Sequence, residues 1–270
     1  CLASYRVLNQ YSWSNHLINY NDIEILVRRQ IVEVHREKQI EVQIPKHLNI
    51  NGYISKAVKA QYEENPYPRW VSTSIFPKPL SIKEVINQVG LSPIDQAIFQ
   101  KKFPRILIAG CGTGQHSIQT ATRFKNCQVT AIDISLRSLS YAKRKTEEFC
   151  INNIEYIQAD ILNLESMSRQ YDIIESVGVL HHMEDPFLGW KVLESCLRPG
   201  GLMKIGLYGE ISRQHVVKAR ELILRLRKGT AHKEMIEVRE YIKRSSDLIL
   251  ANLLQETDFY NTRNFRDLVF

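Results

Sequence analysis

What the chain lacks narrows it first. No stretch of about eighteen consecutive apolar residues occurs, so no segment reads as a membrane-spanning helix. No charged-then-apolar leader opens the sequence, so no secretory signal is read. The five cysteines (Cys1, Cys111, Cys127, Cys150 and Cys196) include no CxxC pair and no metal-ligand spacing with histidine. That excludes a zinc ribbon and a disulfide framework, and the thiols read as reduced ones in a cytoplasmic protein. No metal is expected. Internal repeats and low-complexity segments are absent too. The chain also lacks an initial methionine and ends on an apolar residue, Phe270, which reads as a piece of something longer.

The 270 residues are enough to bury about three quarters of the unfolded surface, so one α/β domain with appended helices is expected. The net charge is +7. Much of the excess lies between Ile211 and Gly229, where six basic residues accompany one glutamate. Arg213, Arg220 and Arg227 recur every seven residues, on one helical face. This stripe reads as a solvated helix face rather than a nucleic-acid surface.

The pattern along the chain divides it into four parts. Residues 1–70 are helical in character, amphipathic near Asp22 to His35, and read as a cap or the end of a preceding domain. Pro66 and Pro68 break any helix there. Residues 71–104 read as linking helices, with starts at Ser81 (Glu84 three positions on) and at Ser92 before Pro93. From 105 to 208, apolar runs at 105–109, 127–133, 154–158, 171–177 and 201–207 alternate with helical patterns near 114–124, 135–149 and 186–197. Such alternation predicts a Rossmann-like, doubly wound, mostly parallel sheet. Asp185-Pro186 reads as a helix start and Pro199-Gly200-Gly201 as a stop and turn. Residues 209–270 read as a truncated helical lid or substrate region, with helices at 212–228 and 232–255 and a C-cap at Gly229.

The chemistry concentrates where the first run ends, at Ile106 to Gly114 (ILIAGCGTG). Gly110, Gly112 and Gly114 alternate there, letting the backbone turn and approach a ligand, and the helix that follows offers free N–H groups and a positive end. Nineteen residues past Gly114 the next apolar run ends in Asp133 (VTAID), placed to accept a ribose diol. The spacing is GxGxG, not the GxGxxG of a pyrophosphate-binding turn. It thus fits a nucleoside cofactor without a pyrophosphate better than the nicotinamide of an NAD(P)-dependent oxidoreductase, the alternative kept here together with a non-catalytic binding module.

ILIAGCGTG, VTAID, IQAD at 157–160, and YDIIESVGVLHHMEDP at 171–186 followed by LRPGG at 197–201 resemble, in order and spacing, the cofactor domain of class I S-adenosylmethionine-dependent methyltransferases. The flanks QYEENPYPRW at 61–70 and DFYNTRNFRDLVF at 258–270 resemble bacterial members joined to tetratricopeptide repeats, which implies such repeats as neighbours in a longer chain. The resemblance implies S-adenosyl-L-methionine as cofactor, held by Gly110, Cys111, Gly112, Gly114 and Asp133. Ile134 would pack on the adenine, Asp160 and Ile161 would meet the adenine amino group, and Ser176 and Val177 would line the sulfonium end. Arg69, with Tyr67 and Trp70 at a cap edge, is placed to pair with the cofactor's carboxylate. The NPYP at 65–68 also has the form of an NPPY-type motif, though the fourth strand already ends elsewhere.

His181 and His182 follow the fourth strand and are the candidate general bases. The methyl acceptor is unidentified, with a small molecule favoured over a protein. Two departures from the family stand out. The acid expected two residues before the first glycine is Ile108, which leaves the cofactor's ammonium without its usual partner. Gln115, His116 or a cap residue is left to compensate. The family's antiparallel sixth and seventh strands have no evident counterpart, unless one begins near Phe265.

Overall fold

The computed structural model describes residues 2–47, 53–64 and 66–269. Cys1, Asn65 of the NPYP stretch and Phe270 lie outside the described residues. By contacts the chain forms two compact units, Cys1–Gly206 and Leu207–Phe270.

The first unit is built on one six-stranded parallel sheet, ordered β1-β4-β3-β2-β5-β6. Its strands are β1 (Lys46–His47), β2 (Arg105–Ala109), β3 (Gln128–Asp133), β4 (Ile154–Ala159), β5 (Tyr171–Val177) and β6 (Leu197–Gly206). Side chains alternate across a strand, so each apolar run feeds two cores. Ile106, Ile108, Val129, Ala131 and Ile173 face the helices Ile82–Gln88, Gln115–Arg123 and Leu136–Glu148. Leu107, Ala109, Ile132, Ile157 and Ile174 face the turn Ile161–Met167 and the helix Pro186–Ser195. With both faces covered, near-continuous apolar strands are what the burial requires. The chain winds outward from β2 through β3 to β4, then returns to β5 on the other flank of β2. The carboxyl ends of β2 and β5 therefore form a topological switch point, where ligands of open α/β sheets bind.

The N-terminal segment packs into this same unit. Ile40 and Ile44 join the larger core, while Val27 and Ile31 bury a smaller cluster with Leu8. Its short strand β1, which the sequence pattern did not suggest, extends the sheet beyond β4.

Several helix starts follow the local chemistry. Ser81 and Glu84 form the full capping box, and Asp185 Oδ1 accepts the N–H groups of Phe187 (2.9 Å) and Leu188 (3.3 Å) with Pro186 in the first turn. Ser92 starts no helix. The next turn, Gln96–Gln100, begins three residues later on Asp95, whose side chain accepts the Ala97 N–H. The Pro199-Gly200-Gly201 turn is also displaced. It lies inside β6, where the pairing with β5 jumps from Tyr171↔Leu197 to Ile173↔Leu202, a bulge that absorbs the extra residues.

The second unit is helical, and Val216, Leu222, Met235, Val238, Phe259 and Phe265 fill its core. Its helix Gln214–Arg225 ends before Gly229, and Arg227 itself takes the left-handed conformation at φ +49°. The expected 232–255 helix stops at Arg244, and residues 245–247 separate it from the next turn. The stretch near Phe265 is a helix, Thr262–Val269, not a strand, and among the described residues no antiparallel pair follows β6.

Candidate active site

Gly110, Gly112 and Gly114 all have positive φ (+75°, +51° and +83°). L-residues with a Cβ avoid this region. Space adds to the demand. A Cβ on Gly110 would lie 2.4 Å from Val179 of the loop after β5, and one on Gly114 would lie 2.4 Å from Ala142 Cβ. At Gly112 a Cβ meets only the Tyr67 carbonyl, at 3.4 Å. The loop is thus pressed between the post-β5 segment and the helix Leu136–Glu148, and its middle glycine is the open one. The N–H groups of Gly110 and Cys111 both donate to Ile132 O at 2.9 Å, holding the loop against the end of β3. The Cys111 side chain turns into the core, and burial pushes its thiol well above the usual range. Cys111 thus offers the site its backbone, not a nucleophile.

Asp133 closes β3 beside this loop. Its Oδ2 accepts Gly112 N–H at 2.8 Å and its Oδ1 accepts Ser135 N–H at 2.9 Å. Burial raises its pKa to about 6, against the opposing pull of those two N–H groups. A carboxylate has about four lone-pair sites, so both oxygens keep capacity for a diol. Ile134, half-buried, is fixed through its carbonyl by Gln158 Nε2 at 2.9 Å. Asp160 is buried at the end of β4. Its Oδ1 accepts Leu162 N–H at 3.0 Å, while the Ile161 side chain enters the core behind it. At the end of β5, Ser176 Oγ is buried with no hydrogen-bond partner among the described residues, and Val177 is exposed. Glycine loop, Asp133, Asp160 and Ser176 therefore share the carboxyl edge of the sheet.

Arg69 takes a different partner from the one expected. Its guanidinium binds Glu37 through both carboxylate oxygens (2.9 and 3.0 Å) and lies 4.8 Å from the Tyr141 ring centre. His181 and His182 sit side by side, ring centres 4.1 Å apart, with Tyr62 Oη 3.4 Å from His182 Nε2.

Three supports of this edge go beyond the sequence reading, which places Tyr67 and Trp70 at a cap edge without their bonds to the loop. Trp70 Nε1 donates to Thr113 O at 3.1 Å, and Thr113 Oγ1 donates to Pro68 O at 2.5 Å, so the 67–70 strap clasps the glycine loop. Glu63 accepts the N–H of Leu136 (2.8 Å) and Arg137 (3.2 Å), capping the helix that follows Asp133. Buried Glu175 pairs with His116, just past the loop. The capping role of Glu63 and the pairing of Glu175 depend on contacts distant in sequence, and no local pattern announces them.

A parallel sheet with a glycine turn after one strand and an acid at the end of its neighbour defines a nucleoside-cofactor domain of the Rossmann-like class. Residues 106–201 match the family described as methyltransferase domain. An uncharacterised protein of Synechococcus sp. is 38% identical over 121 residues, 44% of this chain and 29% of that one. The ubiquinone biosynthesis O-methyltransferase of Leptothrix cholodnii is 31% identical over 144 residues, covering 53% of this chain and 58% of the relative. The (S)-coclaurine N-methyltransferase of Papaver somniferum is 31% identical over 98 residues, 36% of this chain and 28% of that enzyme. The chain thus spans between about a quarter and three fifths of the length of these relatives. Among solved structures, PKMT2 of Rickettsia typhi in complex with AdoHcy is 21% identical, with a TM-score of 0.48, covering 67% of this chain and 37% of that one. These matches support a methyltransferase domain at 106–201, for which S-adenosylmethionine is the implied cofactor, and lend no support to the oxidoreductase alternative. The open cradle at Gly112 and the acids at the sheet edge fit that cofactor. Among the described residues no helix is long and apolar enough to cross a membrane, and no cluster of His, Cys, Asp and Glu has the form of a metal site.

Proposed function

We propose that this chain moves a methyl group from S-adenosylmethionine to a small-molecule nucleophile by in-line displacement. The observation that carries the reading is the bond from Gly112 N–H to Asp133 Oδ2, which joins the open glycine to the ribose-binding acid. When bound, the cofactor supplies an electrophilic methyl on a sulfonium. The residues do the rest. Asp133 holds the diol, Ile134 packs on the base and Asp160 receives its amino group. Ser176 and Val177 shape the far end. Arg69 reaches the cofactor's carboxylate only by leaving Glu37. The names of the O- and N-methyltransferase relatives favour a small acceptor.

In this reading either His181 or His182 takes the acceptor's proton. Neither is essential to the reading. Alignment alone supplies about 7–11 kcal/mol, against about 3–5 from a base worth some 10²–10⁴ in rate. Tetratricopeptide repeats elsewhere in a longer chain, and a cytoplasmic setting for the free thiols of Cys111, Cys127 and Cys196, belong to the same proposal.

The test is calorimetric titration with S-adenosylmethionine and S-adenosylhomocysteine, with NAD and NADP as controls. Micromolar binding of the first pair, abolished in Asp133→Ala and Gly112→Val, supports the reading. Binding of a nicotinamide instead overturns it. Binding without turnover across an acceptor screen would mark a non-catalytic module.

A further inference from the structure

One buried carboxylate beside this edge has no part in the reading above. Glu175 on β5 is 5% exposed. Its register partner on β2 is Ile108, so the two side chains stand next to each other on the same face of the sheet. On its other flank it pairs with Lys204 of β6. Above it lies the helix Gln115–Arg123, which Gly114 opens. From that helix His116 Nε2 approaches Glu175 Oε2 at 2.6 Å and Thr120 Oγ1 donates to the same oxygen at 2.9 Å. Both contacts use Oε2, and neither uses Oε1. Burial works against the charge, but His116, Lys204 and Thr120 outweigh it and hold the carboxyl below its usual range. Glu175 is therefore an anion at neutral pH, tied to the first turns of the helix that follows the glycine loop.

Such an anion is expensive to bury without purpose. The amino-acid end of S-adenosylmethionine carries both charges. Its carboxylate suits the positive end of the helix Gln115–Arg123, but the same end repels its ammonium. An ammonium there needs a carboxylate close by, and Ile108 provides none. We propose that Glu175 receives the cofactor's α-ammonium, supplying from β5 the charge that is missing at Ile108 on β2. His116 and Thr120 act as positioning residues that hold Oε2, and in this proposal Oε1 takes the ammonium. The proposal rests on the S-adenosylmethionine reading.

The experiment compares two nucleosides that differ only at this end. S-adenosylhomocysteine carries the amino-acid group, whereas 5′-deoxy-5′-methylthioadenosine has the adenosine and thioether without it. Each is titrated calorimetrically into the full chain and into Glu175→Gln. The expected result is an affinity for S-adenosylhomocysteine about 10- to 100-fold weaker in the variant, as for a lost charge-assisted hydrogen bond. Methylthioadenosine should bind both proteins within about two-fold, the resolution of such a comparison. Adding Ile108→Glu to Glu175→Gln should restore part of the selective loss. Equal weakening of both nucleosides, or of neither, overturns the assignment and leaves Glu175 a structural ion pair. If Glu175→Gln does not fold, Glu175→Asp keeps the charge but shortens its reach, and an intermediate loss confined to S-adenosylhomocysteine is expected. A folded wild-type chain that binds neither nucleoside overturns the cofactor reading itself, and this proposal with it.

Discussion

The Gly112 N–H donates to Asp133 Oδ2 at 2.8 Å, so the acid that ends β3 and the open glycine after β2 form one unit. Titration of Asp133 should therefore reach the ligand. Its pKa in the folded chain stands at about 6, raised by burial. Above that value the carboxylate is ionised, accepts the loop N–H and, in the proposed function, a ribose diol. As pH falls through about 6 it gains a proton, and its capacity to accept is halved on one oxygen. Affinity for S-adenosylhomocysteine should accordingly be flat from pH 7 to 8 and decline below about 6. Asp133→Asn should bind more weakly at pH 7.5 and lose that decline. Calorimetry across the pH range is the check, and an unchanged decline in the variant would assign the titration to another group.

The glycines make a second prediction because their surroundings differ. Gly114→Ala places a methyl 2.4 Å from Ala142 Cβ at φ +83°. Overpacking at about 1–3 kcal/mol adds to a left-handed penalty of about 1–2 kcal/mol. Gly90 has φ +70° but nothing within 4 Å of an added Cβ, so Gly90→Ala should show the backbone penalty alone. Urea denaturation of the two variants should separate them. Ala142→Gly should recover part of the loss in Gly114→Ala and none in Gly90→Ala.

These contrasts mark what was legible in the chain. Strands β2 to β5 were readable because burial on both faces leaves apolar runs, and the caps at Ser81 and Asp185 because their chemistry is local. The loop glycines and Asp133 were readable for the same reason, since each sits at a strand end that the run itself defines. Two-residue β1 leaves no periodic trace, and its place depends on β4 more than a hundred positions away. A strand beginning near Phe265 is not found, because Phe265, Leu268 and Val269 recur at helical spacing and join one core. The neighbourhood of Glu175 is not legible in the sequence, because only the register between β2 and β5 sets it beside Ile108. Arg69 lies on the strap that clasps the glycine loop, yet its guanidinium turns to both carboxylate oxygens of Glu37.

The strap gives a third prediction. Trp70 is buried between Tyr141 and Phe149 while its Nε1 donates to Thr113 O. Trp70→Phe keeps most of the packing and removes that donor, so a loss of about 0.5–1.5 kcal/mol is expected. Trp70→Ala removes the ring as well, for about 3–5 kcal/mol. If the strap supports the loop, Trp70→Phe should also weaken binding of S-adenosylhomocysteine. Chemical denaturation and calorimetry on the same samples distinguish a pure stability effect from one that reaches the cofactor.

The last prediction concerns the helix Leu136–Glu148, whose N-cap Ser135 donates its N–H to Asp133 Oδ1. Ser135 Oγ accepts the N–H of Ser138 at 3.1 Å, and Glu63 takes those of Leu136 and Arg137. The first three orphan donors named here are thus satisfied, two of them by a carboxylate from the N-terminal segment. A negative group at a helix start also interacts favourably with the dipole. Glu63→Ala should cost about 0.5–2 kcal/mol, as for a lost N-cap. Glu63→Gln keeps one acceptor and should cost less. The same substitution removes a charge that raises the Asp133 pKa. In Glu63→Gln the acid limb of the binding profile should therefore move to lower pH, toward the value for an unperturbed aspartate. A stability loss with no movement of that limb would confine Glu63 to the helix it caps; movement of both would show the N-terminal segment tuning the acid at the end of β3.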